Sequence, residues 1–331
     1  MTNNDFIVGA YPCAPSFHQL AKRDEIEFWR ALAELPAIRG IEQPCLDELH
    51  PYGSAFLFEQ IPAHWQVVVT AVMGTMQRRG AGRDFGLAAR NEGERLAAIE
   101  HIRHIRDEIK RANDLSGRQR VLALEIQSAP NQGEQDAGPA AACFIDSLEQ
   151  ILSWQWECPL IIEHCDALTG PAPRKGFLPL ADEINAATVL NQRFGRLTKI
   201  AVNWGRSAIE GHHRQLPLTH IRQCRLVGLL GAVMFSGTAT GGPYGQWEDN
   251  HAPFAPFAGG CYRCEDSLMT LDDARDAFAL APLDSLDYAG IKLLSTSAHE
   301  SVNKRVDIIK DGIQALLLSS ANASISEDNE A

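Results

Sequence analysis

Eight short apolar runs, nearly all followed by a segment of helical period, constrain this chain more than any other feature. The runs lie at 6–12, 38–44, 66–75, 120–130, 159–167, 199–205, 230–237 and 288–295. Helices are predicted at 16–35, 91–115, 141–154, 180–194, 218–227 and 298–317. This alternation is the pattern of βαβ units. Strands apolar almost throughout are those buried on both faces of a parallel sheet. Eight such units predict a single (β/α)8 TIM barrel over residues 1–318, with long loops after strands 2, 3 and 7. Residues 319–331 are polar and are expected to form a disordered tail. Between Cys45 and Trp65 only a short amphipathic piece, 54–60, reads as helix. A doubly wound sheet competes, but no strand–GxGxxG–helix fingerprint stands near the N-terminus.

Composition narrows the function. With 30 Lys and Arg against 42 Asp and Glu, the net charge is −12, which disfavours nucleic acid and anionic membranes as partners. The longest apolar run, residues 226–235, is far below the roughly 20 residues needed to cross a bilayer. The start MTNNDF lacks the layout of a secretory signal. Eight scattered cysteines in a chain able to build a core read as reduced thiols. A soluble, cytoplasmic protein is expected.

In a barrel of this kind the active site gathers at the C-terminal ends of the strands. That rule selects Tyr11, Glu42, Thr70, Glu125, Gln127, Glu163, His164, Asp166, Asn203, Arg206, Ser236 and Lys292. Glu125 and Glu163 stand foremost, because a carboxylate at the end of an apolar strand is costly without a purpose or partner. On adjacent strands they would be about 5 Å apart in backbone and could divide acid and base roles. Alternatively each pairs with a barrel Lys or Arg. Glu163 and His164 must face opposite ways, so His164 reads as a satisfied structural histidine. Lys292, inside an apolar strand, is either a base or Schiff-base nucleophile of lowered pKa, or a structural ion pair.

Two connections carry further candidates. The stretch after the third run holds Arg78, Arg79 and Arg83, which could clamp a carboxylate or phosphate. The long Gly- and Pro-rich stretch after the seventh run offers Asp249 and His251 two residues apart, with Tyr244 and Trp247 to cover a ligand. The lone Cys261–Cys264 pair is weak as a zinc motif. His212 and His213 read as solvated surface, and His101 and His104 as the outer face of a charged helix.

In its layout, and with LIIEH ending the fifth run, the chain resembles the xylose-isomerase-like TIM barrels. That group holds sugar isomerases, sugar epimerases and endonuclease IV. Within it the chain is similar to an uncharacterised bacterial family, on the opening GAYPCAP and on KGFLPLADEI at 175–184. The resemblance implies one divalent metal ion (Mn, Mg, Co or Zn) on a Glu ending the fifth strand, here Glu163, with an Asp-x-His pair matched by Asp249 and His251. The other ligand positions hold Asn203 and Arg206 where Asp and His are usual, Ser236 for His, and Lys292 for Glu. Two expectations stay open: a metal on Glu163, Asp249 and His251 with Asn203 as a neutral ligand, or a metal-free site with Lys292 in the cation's place.

The leading expectation is a sugar or sugar-acid isomerase or epimerase that moves a proton next to a carbonyl. Glu163 or Glu125 would be the base, and Lys292 or a metal would stabilise the enediolate. Tyr11, Gln127, Asn203, Arg206, Ser236, Trp247, Arg78 and Arg83 would bind a small carbohydrate or sugar acid. A Lys292-dependent lyase or aldolase, a glycoside hydrolase built on Glu125 and Glu163, and a non-catalytic sugar-binding barrel are the alternatives. Barrels of this kind also pair, so a homo-oligomer is expected.

Overall fold

The computed structural model describes residues 5–81, 84–134, 140–168, 173–195 and 198–326. Its strands are β1 (Phe6–Gly9), β2 (Ile38–Pro44), β3 (Gln66–Thr70), β4 (Val121–Ile126), β5 (Leu160–His164), β6 (Lys199–Asn203), β7 (Leu230–Phe235) and β8 (Tyr288–Lys292). All pair in parallel in sequence order, and β8 returns to β1, closing an eight-stranded barrel. The surrounding helices are α1 (Lys22–Ala33), α2 (Ser54–Gln60), α3 (Val72–Ala81), α4 (Glu92–Ser116), α5 (Ala140–Leu152), α6 (Leu180–Phe194), α7 (Trp204–Gly211), α8 (Leu216–Leu226), α9 (Leu271–Leu280) and α10 (Val302–Ser326). Among the described residues no helix is long and apolar enough to cross a membrane.

Strand alternation sorts the side chains into two cores. Ile7, Val68, Ala123, Ile161, Ala201 and Tyr288 fill the barrel interior, whereas Ile41, Leu124, Ile162, Val202 and Ile291 pack outward beneath the helices. Continuing the inward set by two residues brings Thr70, Glu125, Glu163 and Asn203 to the interior near the C-terminal rim, and Lys292 follows four residues after Tyr288. Glu42, next to outward Ile41, joins them.

Four expectations are corrected, three about where elements end and one about exposure. The third run does not continue as strand to residue 75. The Ala71 N–H closes the ladder on the Glu125 carbonyl, the Thr70 hydroxyl accepts from Val72 N–H, and Thr75 already bonds back to Ala71 as helix. Arg78 and Arg79 therefore ride on α3 and not on a loop, and Arg83 lies outside the described residues. The last helix, expected to end near 317, runs from Val302 to Ser326, with Ile308, Ile309, Ile313 and Leu316 buried along its length. His101, expected on the outer face of α4, is buried under Gly74.

Candidate functional site

Lys292 is the centre of the inward charges. Its ammonium lies 2.5 Å from Glu42 Oε1 and 3.4 Å from Glu163 Oε1, and all three side chains are fully buried. Gly9, its partner in the β1–β8 register, makes room for the stem: a Cβ there would lie 2.9 Å from Lys292 Cγ. Burial opposes the ammonium charge, but Glu163 and Glu42 more than compensate, and its pKa is raised well above that of an ordinary lysine. The lowered pKa expected of a Schiff-base lysine is therefore corrected. Two adjacent carboxylates outweigh desolvation.

Glu163 is the most heavily engaged carboxylate. Gln127, the residue after β4 ends, donates to Oε2 at 2.9 Å, Arg206 lies 3.3 Å from the same oxygen, and Asn203 reaches Oε1 at 3.4 Å. Burial resists its ionisation, yet Arg206 and Lys292 prevail and hold its pKa at about 2. The local sequence explains Arg206. Asn203 ends β6 and caps α7, so the first turn of that helix carries Arg206 back over the barrel axis.

Glu125 does not oppose Glu163. The β4–β5 register sets Glu125 beside Ile161, one inward step deeper, where Tyr288 donates to it at 2.7 Å. Burial, reinforced by Glu42 and Glu163, raises its pKa well above the usual carboxylate range. Glu42 is raised in the same direction, chiefly by burial, with Lys292 pulling the other way. Strand-end position alone had marked Glu42 without assigning it a role. Its pairing across β1 with Lys292 emerges only in the closed barrel.

Beyond the strand ends, Arg206 Nε stands 3.6 Å from Asp249, and Lys175 forms an ion pair with the same carboxylate. Burial works against the Asp249 charge, but these two cations hold its pKa below the ordinary range. Ser236 lies 2.6 Å from His251 Nδ1, and burial keeps that imidazole neutral, with a pKa of about 3. Both Trp247 (φ 52°) and His251 (φ 49°) take left-handed backbone, strained for such residues.

The segment after β7 is not structureless. Antiparallel bridges Gly237–Ala252, Ala239–Ser267 and Thr240–Gln246 fold it on itself. Tyr244 is buried inside it, bonded to the Leu294 carbonyl, so it packs the loop instead of covering a ligand. Trp247 stacks on His212 at 4.9 Å, which removes His212 from the solvated surface. Arg174 grips the Gln246 and Trp247 carbonyls and Glu248, pinning this loop to the one after β5. Arg78 donates to the Gly74 carbonyl of its own helix. Tyr11, 7% exposed, feels Lys292, Glu42 and Arg206, although burial sets the upward direction of its pKa.

The cation ligands implied by the resemblance do not fit a divalent ion. Both oxygens of Glu163 face cationic or amide donors, Asp249 is bound by Lys175 and Arg206, and His251 Nδ1 is taken by Ser236. An ammonium and a guanidinium at the ligand atoms oppose a further cation. Among the described residues one group, His164, Glu210 and His220, has ligand atoms within 4.8 Å of one another. It lies on the outward face of β5, where His164 bridges Glu183 (2.7 Å) and Glu210 (3.0 Å) and His220 bonds Ser207. His164 is thus the satisfied structural histidine expected.

The chain resembles several known proteins. An uncharacterized protein of Salmonella typhimurium strain LT2, STM3670, is 46% identical over 314 residues, covering 95% of this chain and 97% of that protein. Among solved structures, a Rhodospirillum rubrum protein described as a "Putative Xylose isomerase" superposes with a TM-score of 0.61 at 12% identity, covering 95% of this chain and 98% of that one. An Anabaena variabilis protein described as a "putative sugar phosphate isomerase/epimerase" gives 0.54 at 10% identity, covering 98% and 100%. The IOLI protein, solved with a bound zinc atom, gives 0.53 at 11%, covering 97% of each. At such identities the likeness shows a shared (β/α)8 barrel fold and nothing further. Residues 7–308 match the family described as "Domain of unknown function (DUF4862)", and the chain belongs to that family.

Proposed function

We propose that the protein is a sugar or sugar-acid isomerase or epimerase that moves a proton next to a carbonyl without a divalent metal. The observation that carries this is the Lys292 ammonium held between Glu42 and Glu163 at the C-terminal end of the barrel. Taking a proton from carbon beside a carbonyl leaves an enediolate, and a fixed cation in a dry site stabilises that charge strongly. Lys292 is charged and anchored, so it supplies the charge a metal would otherwise supply.

The proton itself needs a carboxyl group tuned toward neutral pH. Glu163, held ionised by Arg206 and Lys292, is too weak a base and acts as the counter-ion. Glu42 and Glu125 are raised by burial. Glu42 touches Lys292, whereas Glu125 lies a step deeper against Tyr288, so Glu42 is the base of this reading. Gln127, Asn203 and Arg206 position Glu163, and Tyr11 borders the path from the rim. The barrel shared with sugar isomerase-like proteins supports the reaction class.

The test is proton exchange. A panel of aldoses, ketoses and sugar acids is incubated with the protein in D2O, with and without chelator, and deuterium beside the carbonyl is followed by NMR. The expected result is exchange in at least one compound, indifferent to chelator and reduced at least 100-fold in Glu42→Gln and Lys292→Met. Undiminished exchange in Lys292→Met, or exchange abolished by chelator, overturns the reading. Borohydride trapping of a keto acid on the protein would move the assignment to a Schiff-base lyase.

A further inference from the structure

A cavity of about 520 Å³ opens between the segments that follow β1 and β2 and the start of α3. It borders the axial cluster: Tyr11 lines it, and so does Gln43, which directly follows Glu42 on β2. Its volume falls within the range of small-molecule pockets, generally about 300–1,000 Å³. The lining combines apolar bodies, Phe17, Pro44, Leu46, Pro51 and Met73, with a few polar groups. Phe17, 43% exposed, presents an aromatic ring at the cavity that could stack on a flat group.

Two observations define what the cavity would take. Gln43 lines it, is 2% exposed, and its buried Oε1 has no hydrogen-bond partner. A buried amide oxygen left unpaired is costly, and a ligand hydroxyl or N–H would satisfy it. The charge is one-sided as well. Asp47 and Glu48 stand among the lining residues, while none of the described lining residues is Lys or Arg. A phosphate or carboxylate entering here would meet exposed Asp47 and half-buried Glu48, and Arg111, already 3.8 Å from Glu48, is not a lining residue.

We infer that this cavity binds the non-reacting end of the substrate, and that this end is an uncharged, partly apolar group carrying a hydrogen-bond donor, such as a hydroxylated ring. This rests on the proposed reaction site at Lys292 and deepens it. The substrate is a sugar derivative with a neutral aryl or similar substituent, and not a sugar phosphate. The reacting carbonyl lies past Tyr11 toward Glu42, and the substituent stacks on Phe17 with its donor on Gln43 Oε1.

Ligand-observed NMR with two fragments tests the pocket independently of turnover. Hydroquinone is neutral and carries donors, and phenyl phosphate is its anionic counterpart. Hydroquinone is expected to bind saturably, with phenyl phosphate at least tenfold weaker. Gln43→Leu is expected to weaken hydroquinone about tenfold, the loss of one buried hydrogen bond. Exposed Asp47, changed to Lys, is a second variant that leaves the strand end untouched, and it is expected to admit phenyl phosphate. Lys292→Met should leave hydroquinone binding unchanged while abolishing proton exchange, so a failure of the reaction assignment is read separately. Equal binding of the two fragments, no saturable binding by hydroquinone, or an unchanged affinity in Gln43→Leu overturns the inference.

Discussion

The Tyr288 hydroxyl donates to Glu125 Oε1 at 2.7 Å, joining β8 to β4 across the full width of the barrel. These strands are diametrically opposed, and the bond forms the polar floor beneath Lys292. Tyr288→Phe removes the donor and leaves a buried carboxyl without it, a loss expected to cost about 1–3 kcal/mol. Replacing both partners, as in Glu125→Leu with Tyr288→Phe, should recover most of that. Urea unfolding of the two variants checks the pair, and a double variant no better than Tyr288→Phe refutes it.

Lys292 neutralises two buried carboxylates, so Lys292→Met should cost about 3–5 kcal/mol, with partial recovery when Glu42→Gln is added. Lys292→Glu asks the complementary question. It places an anion beside Glu163 and Glu42, and its melting temperature should rise with added Mn2+, whereas the wild type should respond to neither Mn2+ nor chelator. A wild-type melting temperature that falls on chelation would contradict an ammonium in the cation's place.

Glu163 gives the acid limb of stability a defined sign. Its pKa falls from the ordinary 4.5 to about 2 on folding. It therefore contributes stability that is fully present above about pH 4.5 and lost as the pH falls toward 2. Glu125 acts oppositely: its raised pKa means the folded state loses stability as pH rises above the ordinary carboxylate range. Unfolding free energies from pH 3 to 7 should fall less steeply with acid in Glu163→Gln, while Glu125→Gln should flatten the decline on the alkaline side. Parallel curves for wild type and Glu163→Gln would refute the first assignment.

Trp247 pins the loop after β7 by stacking on His212, while Arg174 holds the adjacent carbonyls. Trp247→Ala should expose residues 240–260 to limited proteolysis and speed amide exchange there. Exchange in the barrel strands should stay as in the wild type, because the loop is folded on its own bridges. Unchanged cleavage within 240–260 would show that the stack holds nothing.

Strand alternation made much of this legible in advance. Near-continuous apolar runs with polar ends marked the eight strands, and the same period put Glu163 inward and His164 outward. It also selected Glu42, Glu125 and Lys292 as strand-end candidates. Strand ends were less legible: an apolar run such as 66–75 reads the same whether it stays strand or, as here, turns into α3 at Val72. The Asn203-Trp-Gly-Arg206 segment read as a departure from a ligand motif. Its role as a helix cap aiming a guanidinium at Glu163 depends on where β6 stops.

By itself the sequence determined the barrel, because burial on both strand faces and helical amphipathicity are local patterns written in consecutive residues. It also determined which residue types could reach the C-terminal rim. Only the tertiary structure decided which of them meet. Closure of β8 on β1 brings Lys292 to Glu42, and register places Gln127 beside Glu163 while leaving Glu125 a step below. The loops set Lys175 and Arg206 on Asp249. Charge pairing depends on distances across the barrel and on desolvation there, and neither is encoded in the spacing of residues along the chain.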